Sequence, residues 1–156
     1  MPSKLTLRDW RSAVEGAATE IATHALSFRS AVVLDRIELA ATAMIGAHIP
    51  LVGGGQAFDL ALVSSAQGCD ALARAILGLG AGSAIREAEI VDAIGEIANM
   101  LAGATKRRLA GPGAHLALGL PIFVRGYLQP RDRMPVIELP IRFGSIDSMV
   151  LIAGAR

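Results

Sequence analysis

The first part of the chain carries apolar residues at steps of three and four, the spacing of one face of an α-helix. The series starts at Trp10 and ends at Phe28. Thr6 and Asp9 precede it in the pattern of a capping box, in which a hydroxyl and an acidic side chain satisfy free backbone N–H groups of the first turn. We therefore predict a long helix over residues 7–27.

After this helix the sequence changes to alternating and β-branched residues, which favour β-strands. We predict strands over residues 31–38, 41–49 and 57–63. The run Gly53-Gly54-Gly55 lies between the last two strands and predicts a turn, because consecutive glycines interrupt regular structure.

Two helices are predicted in the middle of the chain. A short helix over residues 66–78 starts after Ser65, a favourable N-cap residue, and ends at the glycines in positions 78, 80 and 82. A long helix over residues 86–108 follows. The sequence Gly111-Pro112-Gly113 stops it, because proline cannot continue a helix.

Three more strands are predicted over residues 115–124, 135–143 and 147–153, with a hairpin turn at residues 144–147. Runs of successive strands favour antiparallel pairing, so we predict an α+β fold with a mainly antiparallel sheet and two long helices. The order of elements also indicates a tandem duplication of helix plus three strands, with a shift of roughly 80 residues and little sequence similarity between the halves.

Length and composition narrow the class of protein. The 156 residues fit one domain, which we take as 1–156. Hydrophobic residues make up 53% and charged residues 19%, a balance that excludes intrinsic disorder. The net charge of +1 makes nucleic-acid binding a poor hypothesis, because such binding depends on a basic surface. The single cysteine, Cys69, excludes an internal disulfide and suits a reducing compartment.

The mean hydropathy of +0.49 raises the question of a membrane span. The longest stretch without a charge, residues 39–57, contains His48, Pro50 and three consecutive glycines, so it is a poor spanning helix. The first residues are polar and charged, and no hydrophobic core of a signal peptide follows them. We expect a soluble, cytoplasmic protein that binds neither membrane nor nucleic acid.

The long helix predicted over residues 86–108 has two distinct faces. Its buried face consists of Ile90, Ile94, Ile97, Leu101 and Ala104, with Val91 and Ala98 beside them. Its second face carries Asp92, Glu96, Asn99 and Gly103 at steps of four, three and four. Because this spacing follows the helical repeat, the four residues line up along one side of the helix.

The second face contains residues that are unfavourable in a helix. Asn99 is the only asparagine in the chain and has a poor helix propensity. Gly95 and Gly103 each cost roughly 1 kcal/mol relative to alanine. We expect glycines on an outward face to leave a nearly flat patch from which Glu96 and Asn99 project. The alternative is an ordinary solvated face, with the glycines fitted against a neighbouring strand.

The stretch from Asp92 to Gly103 resembles the signature of the CheC/CheX/FliY family of chemotaxis phosphatases. That signature has an acidic residue or serine, a glutamate four positions later, an asparagine three positions after that, and then a proline. Glu96 and Asn99 stand where the family has its glutamate and asparagine. Pro121 follows after 21 intervening residues, slightly closer than is usual. The resemblance implies the CheC-like fold and is closest to the CheX-like domain.

The resemblance implies an enzyme that hydrolyses the phosphorylated aspartate of a CheY-like receiver domain. The receiver supplies Mg²⁺ and a lysine at the phosphoryl group, so this chain needs no cofactor and no metal of its own. Asn99 would orient the attacking water, as a glutamine does in small GTPases. Glu96 would pair with the partner's lysine and fix the register of docking.

Other residues of the same helix are expected to contact the partner. Asp92, Gly95 and Gly103 would belong to the docking face, and Lys106 would help to attract an acidic receiver surface. Alternatively, Asp92 is a solvated acid that complements the helix dipole, and Lys106 is a cation that stabilises the C-terminal end of the helix.

The resemblance covers roughly residues 30–126 and implies a homodimer, as in CheX. In the first long helix, Gly16 and Thr19 occupy the positions where a second glutamate and asparagine would lie. We therefore expect one site per chain, in the second half.

Other kinds of site find no support in the sequence. His24, His48 and His115 are too far apart to show a metal-ligand spacing. Gly53-Gly54-Gly55 lacks the lysine of a phosphate-binding loop, and Cys69 is best interpreted as a small buried apolar residue. Two other functions remain open: a receiver-binding or signalling module without catalysis and, ranked last, a scaffold of the flagellar-switch type.

Overall fold

The computed structural model describes residues 5–35, 44–109, 111, 115–126 and 136–154. The helices and strands are α1 Leu7–His24, β1 Ala31–Val33, β2 Met44–Gly53, β3 Gln56–Ser64, α2 Ala66–Leu77, α3 Glu87–Arg108, β4 Ala117–Leu118, β5 Ile122–Gly126, β6 Val136–Phe143 and β7 Ile146–Gly154. The predicted helices and central hairpin strands are confirmed. The strand predicted over residues 31–38 is too long, since β1 ends at Val33 and residues 34 and 35 are not in a strand. Residues 36–43, which include the start of the strand predicted over 41–49, lie outside the described residues.

The helix boundaries follow the capping signals in the sequence. The Asp9 carboxylate accepts a hydrogen bond from the Thr6 backbone N–H at 2.7 Å, which closes the capping box of α1. The hydrogen bonds from Thr6 lower the pKa of Asp9. Ser65 caps α2 by accepting a bond from the N–H of Gly68 at 3.0 Å. Gly78 ends α2 in the left-handed conformation, with φ of 66°.

The described strands form one antiparallel sheet in the order β1-β6-β7-β3-β2-β4, with β5 also paired to β2. β3 and β7 meet at the centre, where Leu62 lies opposite Val150. Directly opposed residues share a face of the sheet, and these two are buried. They belong to the same core as Trp10 of α1, Leu72 of α2 and Ile97 of α3. The core therefore lies between one face of the sheet and the helices.

The two halves of the sheet repeat each other in their hydrogen bonds. The carbonyl of Pro50 in β2 accepts a bond from the N–H of Gly119 at 2.8 Å. The carbonyl of Pro140 in β6 accepts a bond from the N–H of Leu34, also at 2.8 Å. The β2–β3 hairpin thus corresponds to the β6–β7 hairpin, and the predicted duplication is confirmed.

The shift between the halves is larger in the sheet than in the helices. The hairpins turn at Gly54 and Gly144, which have similar positive φ values of 58° and 60° and lie 90 positions apart. The starts of α1 and α3 are 80 positions apart, as predicted. A short similarity marks the repeat in the strands, where Ile49-Pro50-Leu51 corresponds to Leu139-Pro140-Ile141.

The single strand predicted over residues 115–124 is wrong. Two short strands, β4 and β5, take its place, and Gly119-Leu120-Pro121 lies between them. Pro121 has no N–H for a ladder hydrogen bond. Gly119 lies so close to Pro50 that an added side chain would collide with the proline ring. Gly119 and Pro121 thus interrupt the strand. The break could not be seen in the pattern of apolar residues from which the strand was predicted.

At the C-terminal end of α3, ion pairs connect it to α1. The Glu20 carboxylate accepts a hydrogen bond from Arg108 at 2.6 Å and from Arg107 at 2.9 Å, and the bond from Arg108 lowers the pKa of Glu20. Gly16 makes room for the Arg108 side chain, because a Cβ on Gly16 would lie 2.6 Å from the Arg108 Nε. Gly16, which corresponds to Glu96 of α3, therefore serves the packing of the two helices.

We expect Gly46→Ala to destabilise the protein by about 1–3 kcal/mol, because overpacking forces neighbouring groups to move. Gly46 lies in β2, and an added Cβ would collide with the backbone carbonyl of Leu62 in β3. Urea denaturation measures the free energy of unfolding. Gly80→Ala is the matched control, since no atom lies within 4 Å of an added Cβ there. Equal stability of the two variants would contradict the prediction.

Candidate functional site

The loop before α3 is fixed by hydrogen bonds from α2. The Arg74 guanidinium donates to the carbonyl of Gly80 at 2.9 Å and to that of Ser83 at 2.6 Å. The Glu89 carboxylate then accepts a bond from the backbone N–H of Arg86 at 2.7 Å, and this bond lowers the pKa of Glu89. The first turn of α3 therefore has a defined position.

The predicted buried face of α3 is confirmed. Ile94, Ile97, Ala98, Leu101 and Ala104 are buried, and Ile90 and Val91 are half-buried. Burial of this face fixes the rotation of the helix about its axis. The opposite face therefore turns towards solvent, and its three polar residues, Asp92, Glu96 and Asn99, are all exposed.

Glu96 and Asn99 lie next to each other near the middle of α3. Residues three apart on a helix have Cβ atoms about 5–6 Å apart, so both side chains can reach one contacting group. Within the described part of the chain, neither Glu96 nor Asp92 forms an ion pair. The helix thus presents two carboxylates and a carboxamide that are accessible to a binding partner.

Gly95 does not lie on an outward face, and this part of the expectation is wrong. The residue is buried, and a Cβ built on it would lie 3.6 Å from the Cγ of Pro121. The space beside Gly95 is bounded by a proline of the same chain and would accept a methyl group. The predicted part of Gly95 in docking stays a prediction.

A groove of about 440 Å³ runs between α3 and the segment that precedes β5. Its lining consists of Val91, Asp92, Gly95, Glu96, Asn99, Gly119, Leu120, Pro121 and Phe123. The wall formed by α3 carries the carboxylates and the carboxamide, whereas the opposite wall is apolar. Such a groove suits a cationic group on an aliphatic chain, which can pack its stem on apolar atoms and direct its charge to a carboxylate.

The apolar wall of the groove is held at both ends. At one end the hydrogen bond from Gly119 to Pro50 fixes the segment to β2. At the other end the Arg125 guanidinium lies 5.8 Å from the centroid of the Phe123 ring and pairs with Glu87 at the start of α3. These contacts fix the apolar wall relative to the helix that carries Asn99.

The groove brings together only some of the predicted site residues. Asp92, Gly95, Glu96 and Asn99 line it. Gly103 and Lys106 are half-buried further along α3 and do not line it, so their docking roles stay predictions. The sequence analysis missed Leu120 and Phe123. One signal was available: Leu120 stands between Gly119 and Pro121, two residues that disfavour a continuous strand, within the strand predicted over residues 115–124.

Outside the groove, two other kinds of candidate site were considered among the described residues: the single cysteine and clusters of metal-binding side chains. Cys69 is buried, and burial raises the pKa of its thiol to about 11, so it stays protonated near neutral pH. In the described ranges, no cluster of three or more His, Cys, Asp or Glu residues is arranged to hold a metal ion. None of the described helices has the length and hydropathy of a membrane span.

A family model described as chemotaxis phosphatase CheX matches residues 45–141. The chain belongs to this family. The matched region includes β2, the whole of α3 and the segment that contains Pro121, so it covers both walls of the groove. A search of curated proteins gave no match. A search of solved structures gave matches.

Three solved structures show the same fold at low sequence identity. A chemotaxis protein CheX from Vibrio vulnificus has a TM-score of 0.73 and 16% identity, over 97% of this chain and 100% of that one. A CheX from Desulfovibrio desulfuricans has a TM-score of 0.74 and 15% identity, over 94% and 99% of the two chains. The CheX–CheY–BeF₃–Mg²⁺ complex from Borrelia burgdorferi has a TM-score of 0.68 and 12% identity, over 94% and 98%.

We expect Gly95→Ala to stabilise this CheX-family protein by about 0.5–1 kcal/mol, because it removes the cost of glycine within a helix. The added Cβ would be in ordinary contact with Pro121, at 3.6 Å. Gly95→Leu should lose this gain, since the larger side chain must displace Pro121. Thermal unfolding of both variants checks the prediction, and a less stable Gly95→Ala would refute it.

Proposed function

We propose that this protein hydrolyses the aspartyl phosphate of a CheY-like receiver domain, with α3 inserted at the receiver's active site. The observation that carries the proposal is the pair Glu96 and Asn99, which lie side by side and exposed on the polar wall of a groove that Pro121 also lines. Membership in the CheX family supports it. The crystallised complex of the Borrelia burgdorferi CheX with CheY supports the same class of partner.

Asn99 is proposed to position the attacking water. An acyl phosphate is already reactive, so catalysis requires chiefly that a water lie in line with the phosphorus. A carboxamide does not titrate near neutral pH and cannot act as a general base, but its oxygen can accept a hydrogen bond from water. Asn99 is exposed in the middle of a rigid helix, where it can enter a partner's active site without a change in its own backbone.

Glu96 is proposed to pair with the lysine of the receiver's active site. Its carboxylate lies opposite the apolar wall of the groove, an arrangement that suits the charge and the aliphatic stem of a lysine. Asp92 adds a second negative charge one turn earlier on the same wall. The acidic wall is thus complementary to the Mg²⁺ and lysine that the receiver supplies, and this chain needs no cofactor of its own.

The sequence separation between Asn99 and Pro121 is slightly shorter than is usual in the family. A binding module without catalysis was therefore kept as an alternative. The shorter connection still brings Pro121 to the groove that Glu96 and Asn99 line, so the spacing gives no reason to prefer the binding module, and a measurement of turnover separates the two functions. The homodimer implied by the resemblance and the cytoplasmic location expected from the sequence remain part of the proposal.

We expect Asn99→Ala to lower the rate of phosphate release from a phosphorylated receiver by about a hundredfold, the loss typical of a misplaced reacting group. Receivers labelled with a small phosphodonor provide the substrate panel. The variant should bind a receiver activated with BeF₃ and Mg²⁺ within about threefold of wild type, since a water-positioning residue adds little ground-state affinity. Full activity of Asn99→Ala would exclude the water-positioning role.

We expect Glu96→Lys to weaken binding to the activated receiver by about thirtyfold or more, because it replaces an attractive charge with a repulsive one beside the partner's lysine. Isothermal titration measures the affinity. Glu15→Lys is the charge-matched control, since Glu15 is also exposed but lies on α1. Equal weakening by the two variants would indicate a general effect of net charge and would count against docking through Glu96.

A further inference from the structure

Leu120 has the most exposed large apolar side chain in the described part of the structure, with 83% of its surface in solvent. A single exposed leucine is common on protein surfaces and by itself indicates nothing. This leucine, however, lines the same groove as Glu96 and Asn99, and it lies on the apolar wall that faces them. Its position therefore places an apolar group beside the proposed catalytic pair.

The neighbours of Leu120 hold its backbone in place. On one side, the N–H of Gly119 donates to the Pro50 carbonyl at 2.8 Å, and the Gly119 Cα packs against the Pro50 ring. On the other side, the ring of Pro121 restricts the backbone of the residue before it, and Pro121 lines the same groove as Gly95. An exposed side chain on a fixed backbone loses less conformational entropy on binding than one on a mobile loop.

The first half of the chain provides an internal comparison. Leu34 donates its N–H to a proline carbonyl of β6 as Gly119 does to one of β2, so the following residues, Asp35 and Leu120, correspond. Asp35 is charged and pairs with Arg11 at 3.5 Å. The half that lacks the glutamate and asparagine thus has a charged residue at this position, whereas the half that carries them has an exposed leucine.

We propose that Leu120 is an apolar anchor for the receiver domain, which inserts into a recess beside the receiver's aspartyl phosphate. This inference rests on the proposed function. The phosphorylated receiver is the occupant because Leu120 lines the same groove as the carboxylates of Asp92 and Glu96, whose negative charge is complementary to the receiver's Mg²⁺ and lysine. An apolar group at this point excludes water from the charged contacts, as the centre of a specific interface does.

The test separates binding from chemistry. Leu120→Ser should raise the KM for the phosphorylated receiver, and the Kd for the receiver activated with BeF₃ and Mg²⁺, by about tenfold, the loss expected when a buried leucine is truncated. Its kcat should stay within about twofold of wild type, since an anchor contributes equally to ground state and transition state. Leu120→Met should keep the wild-type KM and Kd, because methionine preserves the apolar volume.

Leu77→Ser is the matched control. Leu77 is also an exposed leucine, with 48% of its surface in solvent, but it ends α2 and does not line the groove. We expect its KM and kcat to equal those of wild type. Thermal unfolding of each variant checks that the fold is intact. We expect it to be, because both leucines are exposed and their replacement removes little buried surface.

Each other outcome counts against the anchor. Wild-type KM and Kd in Leu120→Ser, together with an inactive Asn99→Ala, would overturn the anchor and leave the proposed function standing. A lower kcat at unchanged KM would also overturn it, since Leu120 would then act in the chemical step. Absence of both hydrolysis and binding by the wild-type protein, across the receiver panel, would overturn the proposed function and the anchor with it.

Discussion

The antiparallel pairing of β3 with β7 joins the two halves of the chain and fixes which face of the sheet is buried. Leu62 lies opposite Val150 at this pairing, and both side chains point into the core. A shift of one residue would turn every such side chain to the other face. The helices pack on the buried face, so the orientation of α3, and with it the exposure of Asn99, depends on this register.

The two halves use equivalent positions for different purposes. In α3, Glu96 is exposed and lines the groove. In α1, Gly16 leaves space for Arg108, which pairs with Glu20. A position that presents an exposed carboxylate in one half therefore serves the packing of the two long helices in the other. Among the described residues the halves also differ in backbone, since β1 pairs with β6 whereas two strands, β4 and β5, pair with β2.

The elements that depend on local signals could be predicted from the sequence. The capping residues Thr6 and Ser65 and the apolar repeat of α3 gave the helices and the exposed stripe, because each signal acts within a few residues. The burial of Gly95 and the break at Gly119 could not be predicted in this way. Both depend on the approach of distant segments, since Pro121 comes to the groove that Gly95 lines and Pro50 packs against Gly119. Periodicity showed that Glu96 and Asn99 share a face, whereas their expected roles came from the resemblance to a family.

The packing of Arg108 against Gly16 also limits what the first half can present to a partner. A side chain at position 16 would meet the Nε of Arg108. The arginine would have to shift before a glutamate could be accommodated there, and its hydrogen bond to Glu20 would change. A second polar stripe on α1 would therefore compete with the ion pair that joins α1 to α3.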